Sequence, residues 1–312
     1  MPFDKVLQPR HAGAMVEQCQ LQVSKPYTFA VSVCDHGWPV LAPNQWLADQ
    51  QTLQRVEQLR SERVVLLQLT GEEANDAIGI NIAIQTDSPL TNDERAEILA
   101  KVRWMLKLDE DFAAFYALVA SHPHIGRVVV QGRGRLLRSP TLWEDVVKTI
   151  ATTNVTWGNT KSMIGRLVEQ LGAPFPLNPA LRAFPTPAQV AAADPALFAG
   201  VIRMGYRNGY VQTLAQEIVT GVRDLEALKT ARLSAGEMKK AVKSIKGIGD
   251  YAAHTLMMLL GHYSELPIDS ELRSHVTRRY FAGELRPDKE MAAIYEAWGE
   301  WKYLAYWFDA YD

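Results

Sequence analysis

The sequence predicts an α+β protein, with an N-terminal antiparallel β-sheet subdomain followed by a compact, all-helical body. Three observations lead there. The first hundred residues carry short β-branched runs separated by turn-forming residues, whereas from about Thr141 apolar residues recur at helical spacing between brief Gly/Pro breaks. At 312 residues and 47% apolar composition, the chain is also long enough for two or three subdomains around ample cores.

The sheet is read from residues 27–34 (YTFAVSVC), 64–69 and 77–84, which alternate in part and end at turn residues. Asn92 then opens a helical stretch through Ala96, Ile98, Leu99 and Val102. The division between subdomain and body is placed at 1–125 and 126–312. Residues 172–187 (GAPFPLNPALRAFPTP) carry five prolines and read as a connector running over the surface. No repeat of fixed period and no low-complexity tail stands out.

Composition narrows the function classes. With 22% charged residues and no apolar run near the roughly 20 residues of a membrane span, the chain reads as an ordinary globular protein without a membrane partner. The start, MPFDKVLQPRHAG, lacks an apolar signal core, so the expected location is cytoplasmic, or nuclear in a eukaryote. Cys19 and Cys34 are the only cysteines, too few for a four-cysteine iron–sulfur or zinc site. Neither an HExxH pair nor a GxxxxGK[ST] loop occurs. Net charge is −2, but residues 126–285 hold 20 Lys+Arg against 13 Asp+Glu, and the remainder 13 against 22. A basic part beside an acidic one suits a protein that meets phosphate through one region; a fluctuation of solvated charges would look the same.

The most informative stretch is 234–280. Ser234 and Glu237 have the spacing of a capping box, and Met238, Ala241, Val242 and Ile245 follow as one apolar stripe. Lys246-Gly247-Ile248-Gly249-Asp250 interrupts the helix, and a second helix runs from about Tyr251 to a stop at Gly261. Glycines on both sides of Ile248 allow the backbone to approach a ligand closely. The N–H groups that start the second helix can then face an anion, with Ile248 plugged into the core between the helices. Such a clamp reads phosphate and not base sequence. Asp269 lies twenty residues after Gly249, just before a helical run through Leu272, Val276 and Tyr280. Taken locally, an aspartate there is an ordinary N-cap.

This order of elements resembles the helix-hairpin-helix DNA glycosylase superfamily, whose signature is a GxG hairpin followed by an aspartate at the head of the next helix. Gly134–Glu144 (GRLLRSPTLWE) is similar to the start of that family's first core helix, Phe184-Pro185-Thr186-Pro187 to its FPTP connector, and 298–307 to its aromatic C-terminal helix. The resemblance covers roughly residues 126–310 and is strongest to the alkyladenine branch, although an N-terminal sheet also occurs in the 8-oxoguanine branch.

The resemblance implies an enzyme of base excision repair acting as a monomer on double-stranded DNA with a damaged base, and needing no cofactor. Asp269 would be the catalytic carboxylate. Breaking the bond between sugar C1′ and base nitrogen passes through an oxocarbenium-like transition state, which a fixed negative charge stabilises while orienting water. A cap and a catalytic role are compatible. Bifunctional members carry a lysine two residues after the second hairpin glycine; here that place holds Tyr251, which implies hydrolysis without strand cleavage. Lys246, Gly247, Ile248 and Gly249 would hold DNA backbone, and the carbonyls of Lys243, Ile245 and Ile248 a sodium or potassium ion. Asp250 puts a negative charge beside the clamp. Asn154, in the turn Ala151–Trp157, matches an asparagine-containing turn of the 8-oxoguanine branch and would contact the strand opposite the extruded base; an Asx turn is its ordinary alternative. Tyr251, Trp157 and Tyr206, with Tyr210, are candidate stacking faces for an electron-poor alkylated base. An alkylated purine is the first substrate expectation. An oxidised purine such as 8-oxoguanine is the second, and a non-catalytic DNA-binding module the third.

Overall fold

The computed structural model describes residues 14–74 and 76–310. Residues 1–13, read above as lacking a signal core, lie outside the described residues. In chain order the first elements are β1 (Met15–Ser24), α1 (Phe29–Cys34), β2 (Asn44–Leu47), β3 (Thr52–Gln58), β4 (Val64–Glu73), β5 (Ala77–Thr86) and α2 (Asn92–Met105). There follow α3 (Ala113–Val119), α4 (Arg127–Val130), α5 (Leu142–Thr152), α6 (Trp157–Leu171), β6 (Pro174–Phe175), β7 (Asn178–Arg182), α7 (Pro187–Ala191), α8 (Pro195–Leu197) and α9 (Arg207–Val219). The last are α10 (Ala235–Lys243), α11 (Asp250–Leu259), α12 (Ser270–Tyr280), α13 (Asp288–Ala293) and α14 (Lys302–Ala310). Contacts group the chain into two compact units: one runs up to Asp109 and resumes over Arg135–Asp224, the other comprises Glu110–Gly134 and the chain from Leu225 onward. The architecture is α+β. No helix among the described residues is long and apolar enough to cross a membrane.

The first unit is built on a five-stranded antiparallel sheet in the order β1-β5-β4-β3-β2. Ile78, Ile80, Ile82 and Ile84 alternate along β5 and are all buried, as a period of two requires of a packed face. Central β4 is buried on both faces over 64–69. Val64 and Leu66 meet Phe175 and Ala183, so the connector 172–187 is not a surface strap: it contains the β6/β7 hairpin, which lays Phe175 against the sheet. The body is therefore not wholly helical. Residues 27–34 also depart from expectation, forming helix α1 and not a strand. Phe29 and Val33, one turn apart, are both buried, and Gly71 in β4 lacks the Cβ that would collide with Phe29. The sheet instead draws on β1, β2 and β3. A buried ion pair binds it to α5, Arg55 of β3 meeting Glu144 at 3.1 Å, and Lys148 one turn further along α5 also meets Glu144 at 2.6 Å.

In the second unit the capping box forms as read, Ser234 accepting from the Glu237 amide. Met238, Val242 and Ile245 are buried, and α10 packs against α11. At the far end of α12, Tyr280 donates to Asp309 of α14 at 2.7 Å, Tyr295 does the same, and Arg279 approaches it at 3.0 Å. His275 Nε2 stands 2.8 Å from the same carboxylate. Burial alone would raise the Asp309 carboxyl, but these donors and the arginine hold it at about 2. A charged cluster thus fixes α12, the helix that Asp269 caps.

Candidate active site

The hairpin between α10 and α11 is a tight turn with its apolar centre buried. Ile248 donates its amide to the Ile245 carbonyl at 3.1 Å, and both side chains are buried. Gly247 has φ +96°, a conformation that favours glycine. Gly249 is extended, at φ −84° and ψ −172°, and a Cβ there would meet nothing within 4 Å. Nothing in the fold demands that second glycine; its absent side chain leaves open space before α11. The first intrahelical bond of α11 runs from the Ala253 amide to the Gly249 carbonyl at 2.9 Å. The Asp250, Tyr251 and Ala252 amides therefore open the helix without intrahelical partners, and Gly249 supplies no side-chain cap. Lys246 is exposed beside them. Lys243 pairs with Asp250 at 2.6 Å and keeps that carboxyl below its usual range, so the acidic residue beside the hairpin is matched by a cation. The carbonyls of Lys243, Ile245 and Ile248 bracket this turn; a cation at Ile245 would share its oxygen with the Ile248 amide.

Asp269 is the N-cap of α12. Its Oδ1 accepts from the Leu272 amide at 2.9 Å, and its carbonyl accepts from the Arg273 amide at 3.1 Å. The second carboxylate oxygen has no hydrogen-bond partner among the described residues, and the residue is half-buried. The segment leading to it is tied to both hairpin helices. Glu265 accepts from Lys239 of α10 at 2.6 Å and lies 3.7 Å from His254 Nε2 of α11, whose Nδ1 is 2.7 Å from the Asp250 carbonyl. Burial, with Lys239 nearby, lowers the affinity of His254 for a second proton. Tyr251, in the first turn of α11, is half exposed. Packing around its ring raises its hydroxyl pKa, the Thr255 hydroxyl opposes this, and the charges of Asp269 and Glu271 add to the rise. Tyr251 is thus a neutral phenol within electrostatic reach of Asp269.

Asn154, Trp157 and Tyr206 all belong to the first unit. Asn154 sits in the turn between α5 and α6 at φ +50°, a left-handed position that asparagine tolerates, and is exposed. Its Nδ2 donates to the Tyr206 hydroxyl at 3.4 Å. Tyr206 is 55% exposed and edge-on to Tyr210, and Trp157 is 40% exposed at the first position of α6. Neither Trp157 nor Tyr206 is a core aromatic. Arg207 escaped sequence reasoning. It is buried, donates to the Thr153 carbonyl and the Met204 carbonyl, and lies over the Tyr206 ring at 4.4 Å, bracing the Asn154 turn. Glu265 and His254 escaped it too, because no local pattern marks an ion pair between distant segments.

No protein-family profile matches the sequence, and no curated protein matches it. Solved structures do match. The chain is similar to a 3-methyladenine DNA-glycosylase from Archaeoglobus fulgidus, with TM-score 0.73 and 18% identity over 94% of this chain and 98% of that one. It is similar to a Clostridium acetobutylicum 8-oxoguanine glycosylase/lyase bound to double-stranded DNA with cytosine opposite 8-oxoguanine, with TM-score 0.68 and 18% identity over 95% and 96% of the two chains. A third match is MBOgg1 with a low-affinity DNA ligand, at TM-score 0.66 and 19% identity over 96% and 97%. Over nearly its whole length this chain shares the fold of these solved DNA glycosylases.

Proposed function

We propose that the protein is a monofunctional DNA glycosylase that hydrolyses the N-glycosidic bond of a damaged purine in duplex DNA. The observation that carries this reading is the pairing of Asp269 with the hairpin. A carboxylate with one oxygen fixed by the Leu272 amide and the other unengaged is tied, through Glu265, to the helices flanking an open set of amide donors. The amides, with Lys246, suit a phosphate; the free oxygen suits an oxocarbenium-like sugar and its attacking water. The carbonyls of Lys243, Ile245 and Ile248 would hold a monovalent cation, which would add positive charge beside that phosphate.

Hydrolysis without strand cleavage follows from Tyr251, since a phenol cannot form the Schiff base that lyase chemistry requires. Duplexes carrying 3-methyladenine, 1,N6-ethenoadenine, hypoxanthine, uracil or 8-oxoguanine test this. At least one should release free base and leave an alkali-labile, unbroken strand, and borohydride should trap no protein–DNA adduct. A nick without alkali, or a trapped adduct, would overturn the monofunctional reading. Duplex binding without release of any base would favour a non-catalytic module. Alkylated purines are the first candidates because Tyr251 offers a half-exposed aromatic face to a cationic base. An oxidised purine is the second reading, favoured by the braced, exposed Asn154 turn.

The clamp has its own test. Gly247→Val forces a β-branched residue to φ +96°, at a cost of about 1–2 kcal/mol. It should weaken binding to undamaged and lesion-bearing duplexes by the same factor in fluorescence anisotropy titrations. A loss confined to particular sequences would contradict a clamp that reads phosphate.

A further inference from the structure

Gly37 has ordinary right-handed backbone, φ −68° and ψ −8°, which any residue can adopt. Space, not conformation, calls for glycine. A Cβ at Gly37 would stand 2.7 Å from Cη2 and 2.9 Å from Cζ2 of the Trp157 indole, closer than carbon atoms can approach. The benzo edge of an aromatic residue that is 40% exposed therefore rests directly on this glycine.

The surface beneath the indole cannot easily yield. His36 is buried with Nδ1 3.1 Å from the Leu137 carbonyl, and Trp38 is buried with its indole N–H donating to Asp145 at 2.6 Å. The rings of His36 and Trp38 lie 4.2 Å apart. Trp157 opens α6, where the Thr156 cap accepts from the Asn159 amide, so its backbone is held and only side-chain torsions remain free. Gly37 thus leaves room for the orientation the indole takes, which a side chain at that position would displace. Asn154, three residues before Trp157, and Tyr206, to which Asn154 donates, are exposed as well.

We propose that Gly37 is a positioning residue that holds Trp157 as a preset stacking face for a nucleobase of bound DNA. This rests on the DNA reading above and adds to it a residue and a specific contact. An indole already held in one orientation loses little freedom on stacking, and a flat aromatic face accepts any base.

The test uses the full-length protein labelled with 5-fluorotryptophan, the Trp157 fluorine signal being assigned with Trp157→Phe. The probe is a duplex containing a tetrahydrofuran abasic analogue, which avoids any choice of lesion. Duplex should shift the Trp157 signal in the wild-type protein. Gly37→Ala should shift it before DNA is added and weaken duplex affinity about tenfold, the size of one lost base–aromatic stack. In a Trp157→Leu background, where the collision is relieved, Gly37→Ala should change affinity no further. An equal loss in both backgrounds would mean that the loop acts without the indole, and would overturn the proposal. So would wild-type protein that binds the duplex while its Trp157 signal stays fixed, a result that needs no Gly37 variant to fold. Wild-type protein that binds no duplex at all would overturn the DNA reading itself, and this inference with it.

Discussion

Asp269→Asn is expected to slow base release by two to three orders of magnitude, roughly the effect of removing one preorganised electrostatic group from a transition state. Duplex affinity and thermal midpoint should change little. The expectation rests on what asparagine keeps. Asp269 Oδ1 accepts from the Leu272 amide at 2.9 Å, and an asparagine Oδ1 can accept the same bond, since asparagine caps helices as well as aspartate does. The substitution therefore removes the negative charge while leaving α12 capped. Asp269→Ala would confound the two roles, because losing the cap alone costs about 1 kcal/mol. Single-turnover release from the most reactive lesion duplex, measured beside a melting curve, separates them. An asparagine variant that melts normally and still releases base at the wild-type rate would leave Asp269 as a cap and nothing more.

The hairpin, the capping box at Ser234 and the place of Asp269 were legible because each follows a local code. Glycine marks the positive φ of Gly247, and serine or aspartate marks a helix start a few residues from what it caps. The sheet was only partly legible. Residues 64–69 and 77–84 do lie in β4 and β5, but 27–34 alternates like a strand and is a helix. Its helix packs where Gly71, about forty residues downstream, lacks the side chain that would collide with Phe29, a contact that no local pattern announces. Likewise the prolines of 172–187 announced a break in helix without revealing that Phe175 would cover the sheet. In the candidate site the exposed groups were found, because tyrosine, tryptophan and asparagine advertise their chemistry. The groups that hold them were not. Arg207 beneath the Asn154 turn, Glu265 between α10 and α11, and Gly37 beneath Trp157 act through partners that only the folded chain brings near.

Removing the Glu144 carboxylate should be the most damaging single change to stability, with Glu144→Ala costing about 3–5 kcal/mol. Arg55, Glu144 and Lys148 are all buried, and the carboxylate meets both cations. Without it, Lys148 loses its ion-pair partner and faces Arg55, whose one remaining carboxylate partner is Glu57. Urea unfolding across pH 3–7 checks the electrostatic origin. Burial alone would raise the Glu144 carboxyl, but Arg55 and Lys148 outweigh it and hold the value near 2, below its ordinary 4.5. A folded value below the unfolded one stabilises above pH 4.5, and that contribution fades as pH falls toward 2. The adjacent Asp145 behaves oppositely. Burial pushes its carboxyl from 3.8 up to about 6, only partly offset by the Trp38 and Ser139 donors. Its contribution is full below pH 3.8 and is lost as pH rises through 6. Between pH 6 and 4.5 acidification should therefore relieve Asp145 before Glu144 begins to lose its charge. Asp145→Asn should flatten the rise in that window, whereas Glu144→Gln should lower stability at neutral pH and remove part of the fall below 4.5. Unchanged pH slopes in both variants would show that the two carboxyls are not held as their burial and neighbours require.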